Sequence, residues 1–170
     1  MNTRISTCLL AVVFGTLVAP AVAHVTIAPP ELPAGSVDEI TFRCPDERAN
    51  SATTKLVIQM PQDHPIASVK LRPVPGWHSS VTMRKLDSPI KTQHGEMVAA
   101  VDTITWQGGS IAPGEYQDFA ILAGPIPSGV RQLVFKAIQT YANGEIVRWI
   151  ELRNPGEVEP QYPAPVLKVR

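Results

Sequence analysis

Sulfur, net charge and long apolar runs are all scarce in this sequence, and each scarcity closes off a class of protein. Only two cysteines, Cys8 and Cys44, occur in 170 residues. Fifteen Lys and Arg are balanced by fifteen Asp and Glu, which leaves no basic footprint for a nucleic acid. After residue 23 no apolar run approaches the ~20 residues that a membrane-spanning helix needs. The closing stretch Tyr162 to Arg170 is too short and too broken by proline to serve as an anchor. No segment sustains a 3.6-residue apolar period between proper caps, so helices are not expected. A Gly-rich phosphate loop, a Gly-x-Ser-x-Gly elbow and a His-Glu-x-x-His motif are all missing, which removes support for nucleotide-binding and hydrolase readings.

The N-terminus, by contrast, is strongly patterned. Arg4 precedes the apolar run Leu9 to Phe14, and Ala21-Val22-Ala23 follows. A positive start, a short apolar core and a small-residue site, in that order, read as a secretory signal peptide over residues 1–23, cut between Ala23 and His24. The expected location is therefore the periplasm or the outside of the cell. Cys8 leaves with the leader and stands too early to carry a lipid. Cys44 then has no intramolecular partner, and burial as a small apolar group suits it better than reactivity. The 147 residues that remain suit one domain, with the proline-rich stretch 156–170 read as a tail.

Seventeen prolines and eleven glycines break the sequence into short pieces. Strands are expected at Glu39–Arg43, Thr54–Met60, Ile66–Leu71, His78–Lys85, Met97–Thr105, Tyr116–Ala123, Val130–Tyr141 and Glu145–Leu152, all rich in Val, Ile, Thr and aromatics. So many short strands indicate an antiparallel β-sandwich. Asn143-Gly144 marks the clearest hairpin, expected as a two-residue turn with positive φ at both positions. Upstream of it, Phe135, Ala137, Gln139 and Tyr141 share one face while Val134, Lys136, Ile138 and Thr140 share the other. Asp46 to Ser51 reads as a polar loop.

Cleavage before His24 would make histidine the first residue, and an N-terminal histidine offers its α-amine and ring Nδ1 together as a six-membered chelate. Both nitrogens deprotonate near neutral pH when a strong Lewis acid competes for them. Nitrogen-rich tetragonal sites favour Cu(II) among divalent first-row metals. A second imidazole would make a two-histidine brace suited to oxygen activation, but none of the other histidines has helpful spacing: His64 and His94 stand in turn-like contexts, and His78, after Trp77, reads as partly buried. Met60 and Met83 lie in apolar strand patterns and read as core, while Trp77 and Trp106 read as packing anchors.

Several ordered blocks add to this. His24-Val25-Thr26-Ile27-Ala28-Pro29-Pro30-Glu31 with Ala34-Gly35 comes first, then Thr53-Thr54-Lys55 leading to Met60-Pro61. Pro73-Val74-Pro75-Gly76-Trp77 follows, and Ile104-Thr105-Trp106 with Ile111 to Phe119 comes next. Tyr141 to Trp149 closes the series. From His24 to Glu151 the sequence resembles the YcnI-like copper-binding domain family. The resemblance implies an immunoglobulin-like or cupredoxin-like antiparallel sandwich over residues 24–155 that holds Cu(II) through the N-terminal histidine, with acidic side chains completing the site and a tryptophan beside it. Carried over residue by residue, the donors are His24 and Glu47, with Asp46 as the other acidic candidate, and Trp149 is the neighbouring tryptophan.

Taken alone, Asp46 and Glu47 read as solvated loop charges beside Arg48, and Trp149 as core. The leading expectation is a non-catalytic copper protein that carries or buffers the ion and exchanges it with another copper-handling protein. A copper-dependent redox enzyme and a metal-free immunoglobulin-like interaction module are the alternatives from other classes. No nucleic acid and no membrane span belong to any of them.

Overall fold

The computed structural model describes residues 24–92, 95–153, 156–158 and 160–170. The leader read in residues 1–23 and the turn at His94 lie outside these. The described residues fold into strands without an α-helix, as the missing helical period requires.

Three sheets make up the domain. The first contains β1 (Thr26–Ala28), β3 (Asp38–Pro45), β8 (Tyr116–Gly124) and β5 (Ser68–Leu71), in the order β1-β3-β8-β5. The second contains β11 (Ile146–Trp149), β10 (Lys136–Tyr141), β4 (Thr53–Gln59), β7 (Gly95–Ile111) and β6 (His78–Thr92), in the order β11-β10-β4-β7-β6. β2 (Glu31–Leu32), β12 (Val166–Val169) and β9 (Gln132–Val134) form a small third sheet. Every strand pair is antiparallel except β2 with β12. The inner faces of the two large sheets meet in one core, with Trp106 of β7 packed at a 44° tilt against Phe119 of β8, 5.1 Å between ring centroids. Phe42 of β3 meets Phe135 edge-on at 5.3 Å. Ile40, Phe42, Leu56, Ile58, Ile104 and Ile121 are fully buried around these rings, so apolar burial from both sheets holds the layers together.

Seven of the eight expected strands are present and the eighth is divided, one of five features that differ from expectation. Val130–Tyr141 is not one strand. It breaks at Phe135, whose N–H donates to the Pro165 carbonyl, so that β9 joins the small sheet and β10 the large one. The stretch 156–170 is not a free tail, because β12 pairs on both sides and Leu167 is fully buried. The hairpin loop has three residues, Ala142-Asn143-Gly144, since Tyr141 N–H donates to the Glu145 carbonyl beyond them. Among the described residues none except glycine has a positive φ, so in this loop Gly144 alone, at φ 87°, takes the left-handed position. Asn143 instead accepts the Glu145 N–H on its side-chain carbonyl. Met83 is 60% exposed on the edge strand β6, where no second layer covers it, while Met60 is in the core as expected. His78 is exposed as well, with its ring against Gly108.

Trp77 and Trp106 are packing residues. Trp77 meets Phe119 edge-on at 5.0 Å and lies so close over Gly109 that a Cβ there would stand 2.3 Å from the indole. That contact requires glycine.

Candidate metal centre

His24 enters the site through the pairing of β1 with β3. Thr26 lies opposite Arg43 and Ala28 opposite Thr41, and continuing that register two residues back brings His24 level with Pro45. The β3–β4 loop then turns at Asp46-Glu47-Arg48, so the strand start and the acidic loop converge on one end of the sandwich. β11 delivers Trp149 to the same place. The His24 and Trp149 rings meet edge to face at 5.6 Å between centroids, with 69° between their planes. Behind Trp149 stands Tyr162, again edge to face, at 5.7 Å. His24 is half-buried and Trp149 is 3% exposed.

Asp46 and Glu47 are adjacent in sequence but differently placed. Asp46 is turned inward and fully engaged: Oδ1 accepts the Arg48 N–H at 2.9 Å and Oδ2 accepts the Thr53 hydroxyl at 2.8 Å. Its backbone is also held, by hydrogen bonds with Glu115 and Gly114. Glu47 is half-buried and its Oε1 is shielded from solvent without a hydrogen-bond partner. Burial pushes the Glu47 carboxyl above the usual carboxylate range, against the opposing pull of the His24 and Arg48 charges. Among the described residues, Arg84 Nε and Trp106 Nε1 are likewise buried and unpartnered, but both are N–H donors. Only Glu47 Oε1 offers a lone pair that a cation can satisfy.

The acidic loop is fastened to the β10–β11 hairpin. Arg48 Nε lies 3.0 Å from both Glu145 carboxylate oxygens, and its guanidinium sits 5.1 Å over the Tyr141 ring. Asn143 N–H donates to Ser51 Oγ at 3.1 Å, and Ala142 N–H to the Ala52 carbonyl at 2.8 Å. Beneath the site, Trp149 Nε1 donates to Gln139 Oε1 at 3.0 Å, and Gln139 Nε2 reaches Thr53 Oγ1 at 2.7 Å.

Of the residues singled out from the sequence, the structure sets His24 against Trp149 and within electrostatic reach of Glu47, and commits Asp46 to holding the loop. Arg48, Thr53, Gln139 and Tyr162 were not singled out. For Gln139 a signal existed, since it is the one amide on a strand face otherwise built of Phe135, Ala137 and Tyr141. Cys44 is fully buried nearby, and burial raises its thiol pKa far above the usual range, so it stays protonated and inert. His64 is exposed in the β4–β5 connection, and His78 is on β6, at the opposite edge of its sheet from β11. Among the described residues no three His, Cys, Asp or Glu side chains gather around one point. Any metal held here therefore needs a donor beyond the His24 and Glu47 side chains.

The fold defines an immunoglobulin-like β-sandwich, with a histidine, a half-buried acid and a tryptophan at the end where its first strand begins. The family model described as a domain of unknown function, DUF1775, matches residues 24–169, and the chain belongs to that family. It is 32% identical over 154 residues to the copper-binding protein CutI of Bacillus subtilis (strain 168), a match covering 88% of this chain and 67% of that one. A crystal structure of an uncharacterized protein from Nocardia farcinica, with an immunoglobulin-like fold, aligns with a TM-score of 0.69 at 30% identity. That alignment covers 86% of this chain and 97% of the other.

Proposed function

We propose that this protein is exported, loses residues 1–23, and then carries Cu(II) on its new N-terminus. The donors are the α-amine and Nδ1 of His24 together with the carboxylate of Glu47. The observation that carries this reading is the unpartnered, solvent-shielded Glu47 Oε1 beside His24, a buried acceptor that the protein itself leaves unsatisfied. The relationship to a copper-binding protein supports the choice of ion.

While residue 23 is attached, the nitrogen of His24 is a peptide amide with no lone pair to give. Cleavage converts it into an amine and supplies the donor that the side chains lack. The precursor is thus unable to chelate and the processed chain is competent. Two nitrogens and a carboxylate oxygen form a borderline-to-hard donor set, which favours Cu(II) over Cu(I). Sulfur does not compete at this site, because Cys44 is buried and protonated, Met60 is in the core, and the exposed Met83 is on β6, at the opposite edge of its sheet from β11. Bound copper contributes charge to the site, while the chain's own residues hold and shield it: Trp149 walls one side of His24, and the Arg48–Glu145 pair fixes the loop that presents Glu47. Nothing in this arrangement calls for turnover. Its role is to carry or buffer copper and pass it to another copper-handling protein.

Electron paramagnetic resonance during Cu(II) titration of the processed protein tests the reading, beside a variant with one alanine added before His24. A 1:1 axial spectrum with nitrogen hyperfine structure, lost in the extended variant, is expected. Equal spectra from the two proteins would refute it.

A further inference from the structure

We propose that Gln139 is a positioning residue for the metal centre, locking the Trp149 ring and the Glu47 loop to one another through a buried chain of hydrogen bonds. The inference rests on the reading of His24 and Glu47 as copper donors.

The chain runs in one direction only. An indole Nε1 can donate but not accept, so the atom of Gln139 that faces it must be Oε1, at 3.0 Å. This turns the amide NH2 toward the Pro45 carbonyl at 2.9 Å and Thr53 Oγ1 at 2.7 Å. Having accepted from Gln139, the Thr53 hydroxyl spends its proton on Asp46 Oδ2 at 2.8 Å, and the carboxylate can only accept it. The other Asp46 oxygen accepts the Arg48 N–H, closing the turn on which Glu47 stands. Gln139 and Thr53 are fully buried, and Asp46 and Trp149 are 3% exposed. Water therefore offers no substitute partner. A rotation of the indole next to His24 would orphan Gln139 Oε1, and a shift of the turn would orphan Thr53. The two walls of the site are thus held in register by groups that do not themselves reach the metal.

This position on the strand would ordinarily carry an apolar side chain, as Phe135, Ala137 and Tyr141 do on the same face. A buried amide with both ends satisfied specifies a geometry, whereas an apolar residue would only fill space.

Two variants separate positioning from packing. Gln139→Met keeps the volume and removes the acceptor for the indole. In Gln139→Glu, burial holds the side chain as a neutral acid, which keeps a carbonyl for the indole and one O–H for the Thr53 side. Copper affinity is read by competition titration, and folding by the melting temperature of the metal-free protein. The Trp149 indole N–H resonance, assigned by its loss in Trp149→Phe, reports the ring in the metal-free state.

Gln139→Met is expected to move that resonance and to weaken Cu(II) binding about tenfold, the scale of one buried hydrogen bond. Gln139→Glu should return affinity to within about threefold of wild type although it also lowers the melting temperature. A folded Gln139→Met that binds like wild type overturns the proposal, as does affinity that simply follows melting temperature across both variants. If Gln139→Met does not fold, Thr53→Val cuts the chain one bond further away, and unchanged affinity there overturns it equally. The parent reading fails separately, when the processed and alanine-extended proteins bind alike, and the positioning role then falls with it.

Discussion

Glu47 is where the protein holds a charge at a cost to itself. Its carboxyl is raised by burial and only partly compensated by His24 and Arg48, so the folded state binds a proton more tightly than the unfolded chain does. For such a group, folding stability is greatest below the ordinary carboxylate pKa and declines as pH rises through the higher folded value. Glu47→Gln removes the ionisable group. The metal-free variant should therefore melt above wild type at pH 7, with the difference vanishing below about pH 4, where both side chains are uncharged. Thermal melts across that range check this, and a variant that melts lower at pH 7 would contradict it. The same substitution should weaken copper binding, so stability and function pull in opposite directions at this residue. Asp46, its neighbour, shows the reverse arrangement, with each carboxylate oxygen accepting a hydrogen bond from the protein.

At the scale of elements, the most consequential strand is β12. Leu167 is fully buried between β2 and β9, and replacing it with alanine should cost about 2–5 kcal/mol, the range for emptying a packed site, measured by urea unfolding. A loss of a few tenths would mean that the strand is only loosely attached. Composition pointed the other way, since prolines at 160, 163 and 165 read as a tail. Nothing local to Val166-Leu167-Lys168-Val169 announces its two partners, which are far away in sequence. β1 and β2 were illegible for a similar reason, being two or three residues long and defined by pairing rather than by pattern. The eight longer strands were legible because alternation and β-branched residues mark them directly. At the site, His24 could be read from the expected cleavage position, while Glu47 and Trp149 came through resemblance. Gln139 and Thr53 needed the three-dimensional pairing of β10 with β4, because their roles lie in hydrogen bonds that no spacing encodes.

For the molecule as a whole, copper should act as a stabilising ligand only after processing. A ligand that binds only the folded state at about a hundred times its Kd adds about 2.7 kcal/mol of stability. Calorimetry of the chain beginning at His24 should show that gain with Cu(II), and the unprocessed chain should show none. A similar gain in both would place the ion elsewhere. The two ends of the domain add a further point. β12 runs parallel to β2, Ala34 N–H donates to the Arg170 carbonyl, Arg170 N–H donates to the Leu32 carbonyl, and Arg170 pairs with Glu31. The earliest and latest pieces of the described domain are therefore neighbours. A polypeptide made from its N-terminus onward keeps Leu32 waiting for its partner until Val166–Val169 has been made, so the small sheet closes long after its first strand has left the ribosome.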